Sequence, residues 1–480
     1  MLLKKGLLSI VLSSILLNAQ SVDADMDGFD EPVEQVENSV ESTTNTTNDD
    51  MDGFDDLSSS NATTIDNNST KEVESFEYKS TIKEEDEEAL FTGLSGKITQ
   101  QLSYSWNNNS PHDNINSFKS SLFLDYEHKF ENSMKFKVNI KAYYDSIYDI
   151  RGEEKYSSDE LSELRSEIEL FDAYLEGKIL DNLDFKIGRQ IVVWGRSDTI
   201  RVTDILNPID NRRPGMIDIE DLRLPVTMAK FDYFVGDWRI TPIAILEQRF
   251  SKSPPFGSDF YPVPLKKPED KSYSDVNYAL SVGGEFTGWD VNFYAAKTRD
   301  DAGYLDLNSK ATWKHDKVTM VGSALNVLSG SWLFKSELAY FDGLKYSTTG
   351  DKEFKRTDLL FGVEYNGITD TLISYDISSR HIHSYNKRLL EEQNPLKKYD
   401  YQHALRVSSD FLNATIKANY LISLYGEKLD EGGFQRAWVK YDLLDGVNIN
   451  LGVVDYIGGS KLFDSIKNND LIFVDISYSF

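Results

Sequence analysis

From about residue 93 to residue 480 the chain alternates apolar and polar positions in segments about ten residues long. In residues 135–144 the even-numbered positions are apolar or aromatic, whereas the odd-numbered positions are mainly lysine and asparagine. Residues 414–424 repeat this alternation. A period of two predicts β-strands, because successive side chains of a strand point to opposite faces of the sheet.

Connections of two lengths join these predicted strands. The short links are residues 131–133, 180–182, 235–237, 287–288, 329–330, 366–367, 412–413 and 443–446. The long polar connections are residues 107–116, 147–165, 194–224, 250–275, 299–317, 343–354, 381–400, 426–432 and 458–469. Regular alternation of short and long connections is typical of an outer-membrane barrel with periplasmic turns and extracellular loops.

The fold class predicted for residues 93–480 is therefore all-β, a transmembrane up-and-down antiparallel barrel. Eight short links and nine long connections give eighteen strands, and sixteen is the alternative count. An even number of strands places both ends of the barrel in the periplasm, and the expected location is the outer membrane of a Gram-negative bacterium.

Tryptophan positions agree with a barrel in a bilayer. Trp238, Trp289 and Trp332 each follow a short link, whereas Trp106 and Trp194 lie where strands run into long loops. Aromatic residues at both strand ends indicate the two interfacial girdles of an outer-membrane barrel.

The C-terminus alternates Ile472, Val474, Ile476, Tyr478 and Phe480, and it ends on an aromatic residue. This pattern resembles the C-terminal signal by which the barrel-assembly machinery recognises its clients. An ordinary last strand is the alternative interpretation. The resemblance implies that Ile476, Tyr478 and Phe480 form the assembly signal, with the assembly machinery and outer-membrane lipid as partners.

Composition excludes several other classes. Only 40% of the 480 residues are hydrophobic, and a helical membrane protein needs apolar runs of roughly 20 residues. A net charge of −28 argues against nucleic-acid binding, which needs a basic surface. The absence of cysteine excludes disulfides and thiolate metal sites.

Residues 1–19 have the features of a signal peptide. Lys4 and Lys5 supply the positive start, Gly6 to Leu17 supply a short apolar stretch, and Ala19 precedes the expected cleavage point. A membrane anchor is the alternative, which the short apolar stretch disfavours because it does not span a bilayer.

Residues 20–92 are predicted to be a disordered periplasmic segment. They hold 22 Asp or Glu and 3 Lys, a net charge of 3 − 22 = −19, with too few apolar residues for a core. The phrase Asp-Met-Asp-Gly-Phe-Asp occurs at 25–30 and again at 50–55. Repeated Met and Phe anchors suit docking on a periplasmic or inner-membrane transport partner. The docking candidates are Met26, Phe29, Met51 and Phe54.

Two alternatives remain for this repeat. It is a chance duplication in a solubilising tail, or its Asp-x-Asp-Gly core is a remnant of a calcium loop. The calcium interpretation is the weaker, because a full loop needs about five oxygen ligands over 12 residues and a final Glu, which the repeat lacks.

The long connection 194–224 mixes arginine and carboxylate residues with apolar ones. Charges of both signs satisfy one another only if the loop folds compactly, and Arg pairs bidentately with carboxylate. We predict that the loop folds into the lumen and constricts it. An extracellular cap held by structural salt bridges is the alternative. The constriction candidates are Arg196, Asp198, Arg201, Asp204, Arg212, Arg213, Asp218, Glu220, Asp221 and Arg223.

The same region carries a family resemblance. Gly188-Arg189-Gln190-Ile191-Val192-Val193-Trp194-Gly195, followed by Thr203-Asp204-Ile205-Leu206-Asn207-Pro208, resembles a porin-like outer-membrane family of mostly uncharacterised Gram-negative proteins. The resemblance covers roughly residues 185–262. Genes of that family often lie beside pumps of the resistance-nodulation-division type that handle hydrophobic molecules. The resemblance therefore implies transport of a small hydrophobic solute, with an inner-membrane pump as candidate partner.

The functional expectation is an outer-membrane channel or transporter. The alternatives are a general diffusion porin for polar solutes and a surface adhesin or structural barrel. The sequence contains no zinc signature, phosphate loop or lipase elbow, so we expect no enzyme, cofactor or metal. His381 and His383 could share a metal, but an isolated pair of this kind is more often solvated.

Overall fold

The computed structural model describes residues 93–130, 133–217, 219–261, 263–307 and 310–480. The predicted signal peptide and acidic segment lie outside the described residues. So do the docking candidates Met26, Phe29, Met51 and Phe54. None of the described helices is both long enough and apolar enough to cross a membrane.

Eighteen strands of the described chain form one sheet, and two short strands form a separate hairpin within a long loop. The strands are β1 (Leu94–Ser105), β2 (Asn114–Lys129), β3 (Lys135–Asp145), β4 (Ser166–Leu180), β5 (Leu183–Gln190), β6 (Val226–Val235), β7 (Trp238–Ile245), β8 (Asn277–Phe286), β9 (Trp289–Arg299), β10 (Tyr304–Asp306), β11 (Thr312–Lys314), β12 (Lys317–Ser329), β13 (Trp332–Leu344), β14 (Phe354–Ile368), β15 (Thr371–Ile382), β16 (Tyr399–Phe411), β17 (Ile416–Tyr425), β18 (Gly433–Leu444), β19 (Val447–Ile457) and β20 (Leu471–Ser479). The separate hairpin consists of β10 and β11.

Short helices lie in the long loops. The α-helices are α1 (Ile147–Arg151), α2 (Ser158–Leu164), α3 (Ile219–Leu222) and α4 (Lys461–Ile466). Three 3₁₀ turns cover Glu153–Lys155, Ser347–Thr349 and Lys387–Glu391. All of these helices are only one or two turns long, so the strands alone build the wall of the molecule.

The sheet closes on itself through its first and last strands. β1 pairs antiparallel with β20 in a register that sets Lys97 opposite Ser479. The amide of Gly96 donates to the Phe480 carbonyl at 2.8 Å, and the Phe480 amide donates back to the Gly96 carbonyl at 2.9 Å. Closure leaves no sheet edge, so the backbone satisfies its own hydrogen bonds in hydrocarbon. The predicted eighteen-stranded, up-and-down antiparallel barrel is confirmed, and the alternative count of sixteen is wrong.

One predicted turn is displaced. Asn366-Gly367 was the expected hairpin link, but β14 continues to Ile368, and the turn follows at Thr369-Asp370. A register shift between Tyr365 and Ile368 absorbs the extra residues as a bulge, and Asp370 takes the positive φ of 53°. An Asn-Gly pair tolerates a bulge as well as a turn, which is why its sequence alone misplaces the link.

The outer face of the wall is apolar and the inner face is mixed. On β3, Phe136 and Ile140 are exposed on the outside, whereas Asn139 is buried on the inside. Trp238, Trp289 and Trp332 are exposed beside the short turns. This alternation matches a strand between lipid and lumen.

Trp194 does not belong to an outer girdle, and that expectation is wrong. Its side chain is buried, and its ring stacks on Tyr294 with centroids 4.6 Å apart. The chain turns inward directly after β5, so the indole packs against apolar residues of the inner wall instead of lipid.

Deleting Phe480 is expected to lower the amount of folded barrel in the outer membrane several-fold. Ile476 and Tyr478 are exposed on the outer face, and the Phe480 ring covers Gly96, where an added Cβ would lie 2.4 Å from it. The deletion removes both the proposed recognition residue and the last bonds of the closing strand pair. Heat-modifiable migration of outer-membrane fractions measures the effect, with Phe480→Tyr as the matched control. Wild-type levels after deletion would contradict the proposed assembly signal.

Candidate functional site

The connection between β5 and β6, residues 191–225, enters the barrel and is called here the internal loop. Its described residues are 191–217 and 219–225. It contacts inward-facing side chains of β9, β13 and β15. In the ring of eighteen strands β15 lies eight strands from β5, almost opposite. The internal loop therefore crosses the lumen and does not cap it from outside.

Glu337 of β13 is the central anchor of this loop. Its carboxylate accepts hydrogen bonds from the amides of Arg196 at 2.6 Å, Ser197 at 3.0 Å and Thr203 at 3.1 Å. It also accepts one from the Thr203 hydroxyl at 2.7 Å. A Cβ at Gly195 would lie 2.8 Å from the same carboxylate, so only glycine allows this close approach. One buried side chain thus satisfies three loop amides that have no strand partner.

Asp376 and Lys335 extend the anchor on either side. The Asp376 carboxylate, on β15, accepts from the hydroxyls of Ser197 at 2.7 Å and Thr199 at 2.6 Å. The Lys335 ammonium, on β13, donates to Asp198 at 3.1 Å. Because hydrogen bonds to charged groups are stronger than neutral ones, these contacts fix the tip of the loop on the far wall.

Apolar packing supports the charged anchors. Trp194, Ile200, Val202 and Leu206 of the loop are buried among inward-facing residues of the wall. The wall residues in this cluster include Met228, Met320 and Phe341. Full burial of one large apolar side chain contributes about 1.5–3 kcal/mol, so this packing makes the loop a fixed part of the interior.

The second half of the loop is held near β3 and β4. Arg212 donates from Nε to Asp210 at 2.9 Å and from a terminal nitrogen to Glu167 of β4 at 2.6 Å. It also donates to the Glu163 backbone carbonyl. Arg213 lies 3.6 Å from Asp145 of β3. Burial alone would raise the pKa of Asp210, but the Arg212 hydrogen bonds and charge hold this pKa below its usual value.

A third group of ion pairs connects distant residues within the internal loop. The Asp204 carboxylate is buried and accepts from Nε of Arg223 at 2.9 Å and from Nε of Arg201 at 3.1 Å. Arg201 also donates to the Asn207 carbonyl at 2.6 Å. Two guanidinium groups on one carboxylate keep residues 201–207 next to the start of β6.

Most of the sequence-predicted candidates are brought into the interior. Arg196, Asp198, Arg201, Asp204, Arg212, Arg213 and Arg223 all form ion pairs there, Arg196 with Asp290 of β9. Asp221 is exposed on the loop, Asp218 lies outside the described residues, and the side chain of Glu220 is not described. Their role in narrowing the passage stays a prediction.

The sequence did not single out the wall residues that receive the loop. Glu337, Asp376 and Lys335 occupy inward positions of β13 and β15, where the alternation predicts a polar face. A carboxylate near the middle of a lumen face was the available signal. The alternation shows that such a carboxylate faces the lumen. It does not show which loop residue contacts the carboxylate.

A cavity of about 280 Å³ lies between the internal loop and the long-loop ends of the strands. We call it the arginine cavity, after Arg201, Arg249, Arg299, Arg356 and Arg380, which line it. Five acidic residues also line it: Asp204, Glu247, Asp300, Asp301 and Asp358. Apolar residues of the loop and wall complete its lining. Within the described ranges, no cluster of three or more His, Cys, Asp or Glu side chains is placed to hold a metal ion.

Comparison with known proteins adds a family and several similar barrels. The sequence profile of a family described as "Protein of unknown function (DUF1302)" matches residues 6–480. No curated protein matches the chain.

Solved structures similar to this chain are outer-membrane proteins of low sequence identity. A BenF-like porin from Pseudomonas fluorescens Pf-5 has 11% identity and a TM-score of 0.49, over 81% of this chain and 97% of that chain. OccAB3 of Acinetobacter baumannii has 11% identity and a TM-score of 0.48, over 81% and 99%. OpdK of Pseudomonas aeruginosa, in a structure with vanillate, has 9% identity and a TM-score of 0.48, over 81% and 98%.

Proposed function

The chain belongs to the DUF1302 family of proteins of unknown function, and we propose that it is an outer-membrane channel whose internal loop controls the passage of small solutes. The observation that carries this proposal is the anchoring of residues 194–206 across the lumen by Glu337 and Asp376. A closed wall with an apolar exterior suits a bilayer, and a fixed loop inside such a wall sets the width and charge of the path.

The inner face of the barrel away from Glu337 and Asp376 favours a water-filled path. This face carries lysines on five strands, and none of them forms an ion pair within 4.0 Å in the described part of the chain. They are Lys97 on β1, Lys119 on β2, Lys141 on β3, Lys417 on β17 and Lys440 on β18. Lys141 lies over the Phe171 ring at 3.4 Å, and water or passing anions would keep the other ammonium groups charged. A purely structural barrel or adhesin has no need of such a wall.

Two solute classes remain in this proposal. The family resemblance implies a hydrophobic solute passed on with an inner-membrane pump. The lysine-bearing wall instead favours polar or charged solutes, which is the porin alternative. Liposome swelling with sugars supports the porin, whereas uptake of a hydrophobic probe without swelling supports the hydrophobic transporter.

A partner for the acidic segment is part of the same proposal. The repeated phrase that contains Met26, Phe29, Met51 and Phe54 supports docking on a periplasmic or inner-membrane transport component. Deleting residues 20–60 should remove that component from pull-downs of envelope extracts. An unchanged set of captured proteins would contradict the docking.

Planar-bilayer recording tests the channel itself. The purified full chain, folded as judged by heat-modifiable migration, should give discrete conductance steps, whereas the same detergent preparation without protein should give none. Folded protein that inserts without any conductance would refute the channel and favour the adhesin or structural barrel.

A further inference from the structure

We propose that the arginine cavity is a binding subsite for small amphiphilic carboxylates, molecules with an apolar body and one anionic head. This inference names the solute class of the proposed channel, but it concerns equilibrium binding. It is therefore testable apart from conduction. The cavity combines a guanidinium that shares its carboxylate with a second arginine, acidic groups engaged by other donors, and an apolar floor.

Arg380 of β15 is the accessible cation of the cavity. Its Nε is buried and lies 3.4 Å from Asp358 of β14 without a hydrogen bond, whereas the side chain as a whole is 43% exposed. Arg356 holds the same carboxylate more closely, with Nε donating to Asp358 at 2.9 Å. Two guanidinium groups thus share one carboxylate at this end of the cavity. Because the Arg380 side chain is partly exposed, a bound carboxylate could form charge-assisted hydrogen bonds with its guanidinium.

Most acidic groups of the cavity already have donors. Glu247 accepts from Arg189 at 2.8 Å and from the amide and hydroxyl of Thr227. Asp301 accepts from the amide of Ser251 at 2.8 Å and from its hydroxyl at 2.6 Å. Asp204 is held by the two guanidinium groups described above. These carboxylates are engaged by protein donors, and none of them forms a direct ion pair with Arg380.

Two further carboxylates lie near the cation. Asp300 follows the end of β9, and burial raises its pKa against the opposing charge of Arg356. Asp400 of β16 is the register partner of Arg380, yet the two form no ion pair within 4.0 Å. The Arg380 guanidinium therefore forms no direct ion pair with Asp300 or Asp400, and it can donate hydrogen bonds to a bound carboxylate.

The floor of the cavity is apolar. It is formed by Val202, Leu206, Val226, Ile245, Val318 and Phe341. These side chains are buried, and the guanidinium of Arg356 lies 4.4 Å from the centre of the Phe341 ring. The volume of about 280 Å³ lies just below the range of about 300–1,000 Å³ that is typical of drug-sized ligands, so the cavity suits a small molecule. A cation above an apolar floor suits a short-chain or monocyclic carboxylate better than a sugar or an inorganic anion.

Isothermal titration of the purified full chain in detergent tests the subsite with three probes. Hexanoate has the anionic head and the apolar body, hexanamide lacks the charge, and acetate lacks the body. We expect hexanoate to bind at least about tenfold more tightly than either of the others. Arg380→Gln should weaken hexanoate binding about tenfold and leave hexanamide unchanged, and Arg380→Lys should recover part of the loss.

Arg388→Gln is the matched control, because Arg388 is an exposed arginine of the neighbouring long loop and lies outside the cavity. Equal affinity for hexanoate and hexanamide overturns the proposal. So does undiminished hexanoate binding in a folded Arg380→Gln protein. Arg380-dependent hexanoate binding by a protein that shows no conductance would support the subsite and refute the channel, so the two failures are distinguishable.

Discussion

Replacing Glu337 with alanine is expected to increase the single-channel conductance about twofold or more, because the internal loop loses its central anchor. The carboxylate accepts three loop amides and one hydroxyl, and each hydrogen bond to a charged group contributes about 1.5–3 kcal/mol. Without it, the amides of Arg196, Ser197 and Thr203 face an apolar methyl group inside the barrel. The tip of the loop should therefore leave the wall and widen the path.

Planar-bilayer recordings measure this change, and Glu176→Ala is the matched control. Glu176 is a carboxylate of β4 that pairs with Lys135 at 2.7 Å and with Lys186 at 3.4 Å, both on neighbouring strands and not on the internal loop. We expect the control to change conductance much less. A folded Glu337→Ala protein with wild-type conductance and current noise would show that the loop does not depend on this anchor.

Replacing Arg212 with glutamine should destabilise the folded barrel by about 3 kcal/mol and make the channel more cation-selective. Arg212 is buried and joins Asp210, Glu167 and the Glu163 carbonyl. Its loss leaves two carboxylates together near the lumen, partly compensated by Lys252, which pairs with Glu167. Uncompensated buried charge is expensive, and an added negative charge attracts cations.

Thermal unfolding in detergent and reversal potentials in a salt gradient separate the two effects. Arg212→Lys keeps the charge but cannot reach all three acceptors in the same geometry. It should lower stability while leaving selectivity near the wild-type value. Unchanged stability and selectivity in Arg212→Gln would mean that the second half of the loop is held by other contacts.

The barrel itself was predictable because its pattern repeats many times. A period of two identifies strands, and the alternation of short and long links gives their number and topology without any knowledge of side-chain contacts. Individual positions were less certain. The Asn366-Gly367 pair suits a bulge as well as a turn, and Trp194 follows a strand yet points into the lumen because the chain bends inward.

The loop residues of the candidate site were predictable, but the wall residues that bind them were not. The charged loop residues were identifiable because they concentrate in a single long connection. Glu337 and Asp376, which accept hydrogen bonds from the loop, belong to strands far along the chain. The sequence around these two residues does not identify them as partners of Ser197. The pairing across the lumen depends on strand number and on the exit direction of the loop, which are properties of the closed ring. The arginine cavity, built from several strand ends, was not predictable for the same reason.

The separation in sequence between the internal loop and its anchors has a consequence for assembly. Glu337 and Asp376 follow Arg196 and Ser197 by 141 and 179 residues. Contacts of such long range form late, since the intervening chain must be ordered first. A newly inserted barrel should therefore pass through a short-lived stage that is permeable to larger solutes, before the docked loop narrows its interior. Dye escaping from vesicles during refolding, and ceasing once folding is complete, would reveal that stage, and vesicles that stay tight throughout would argue that the loop docks before the ring closes.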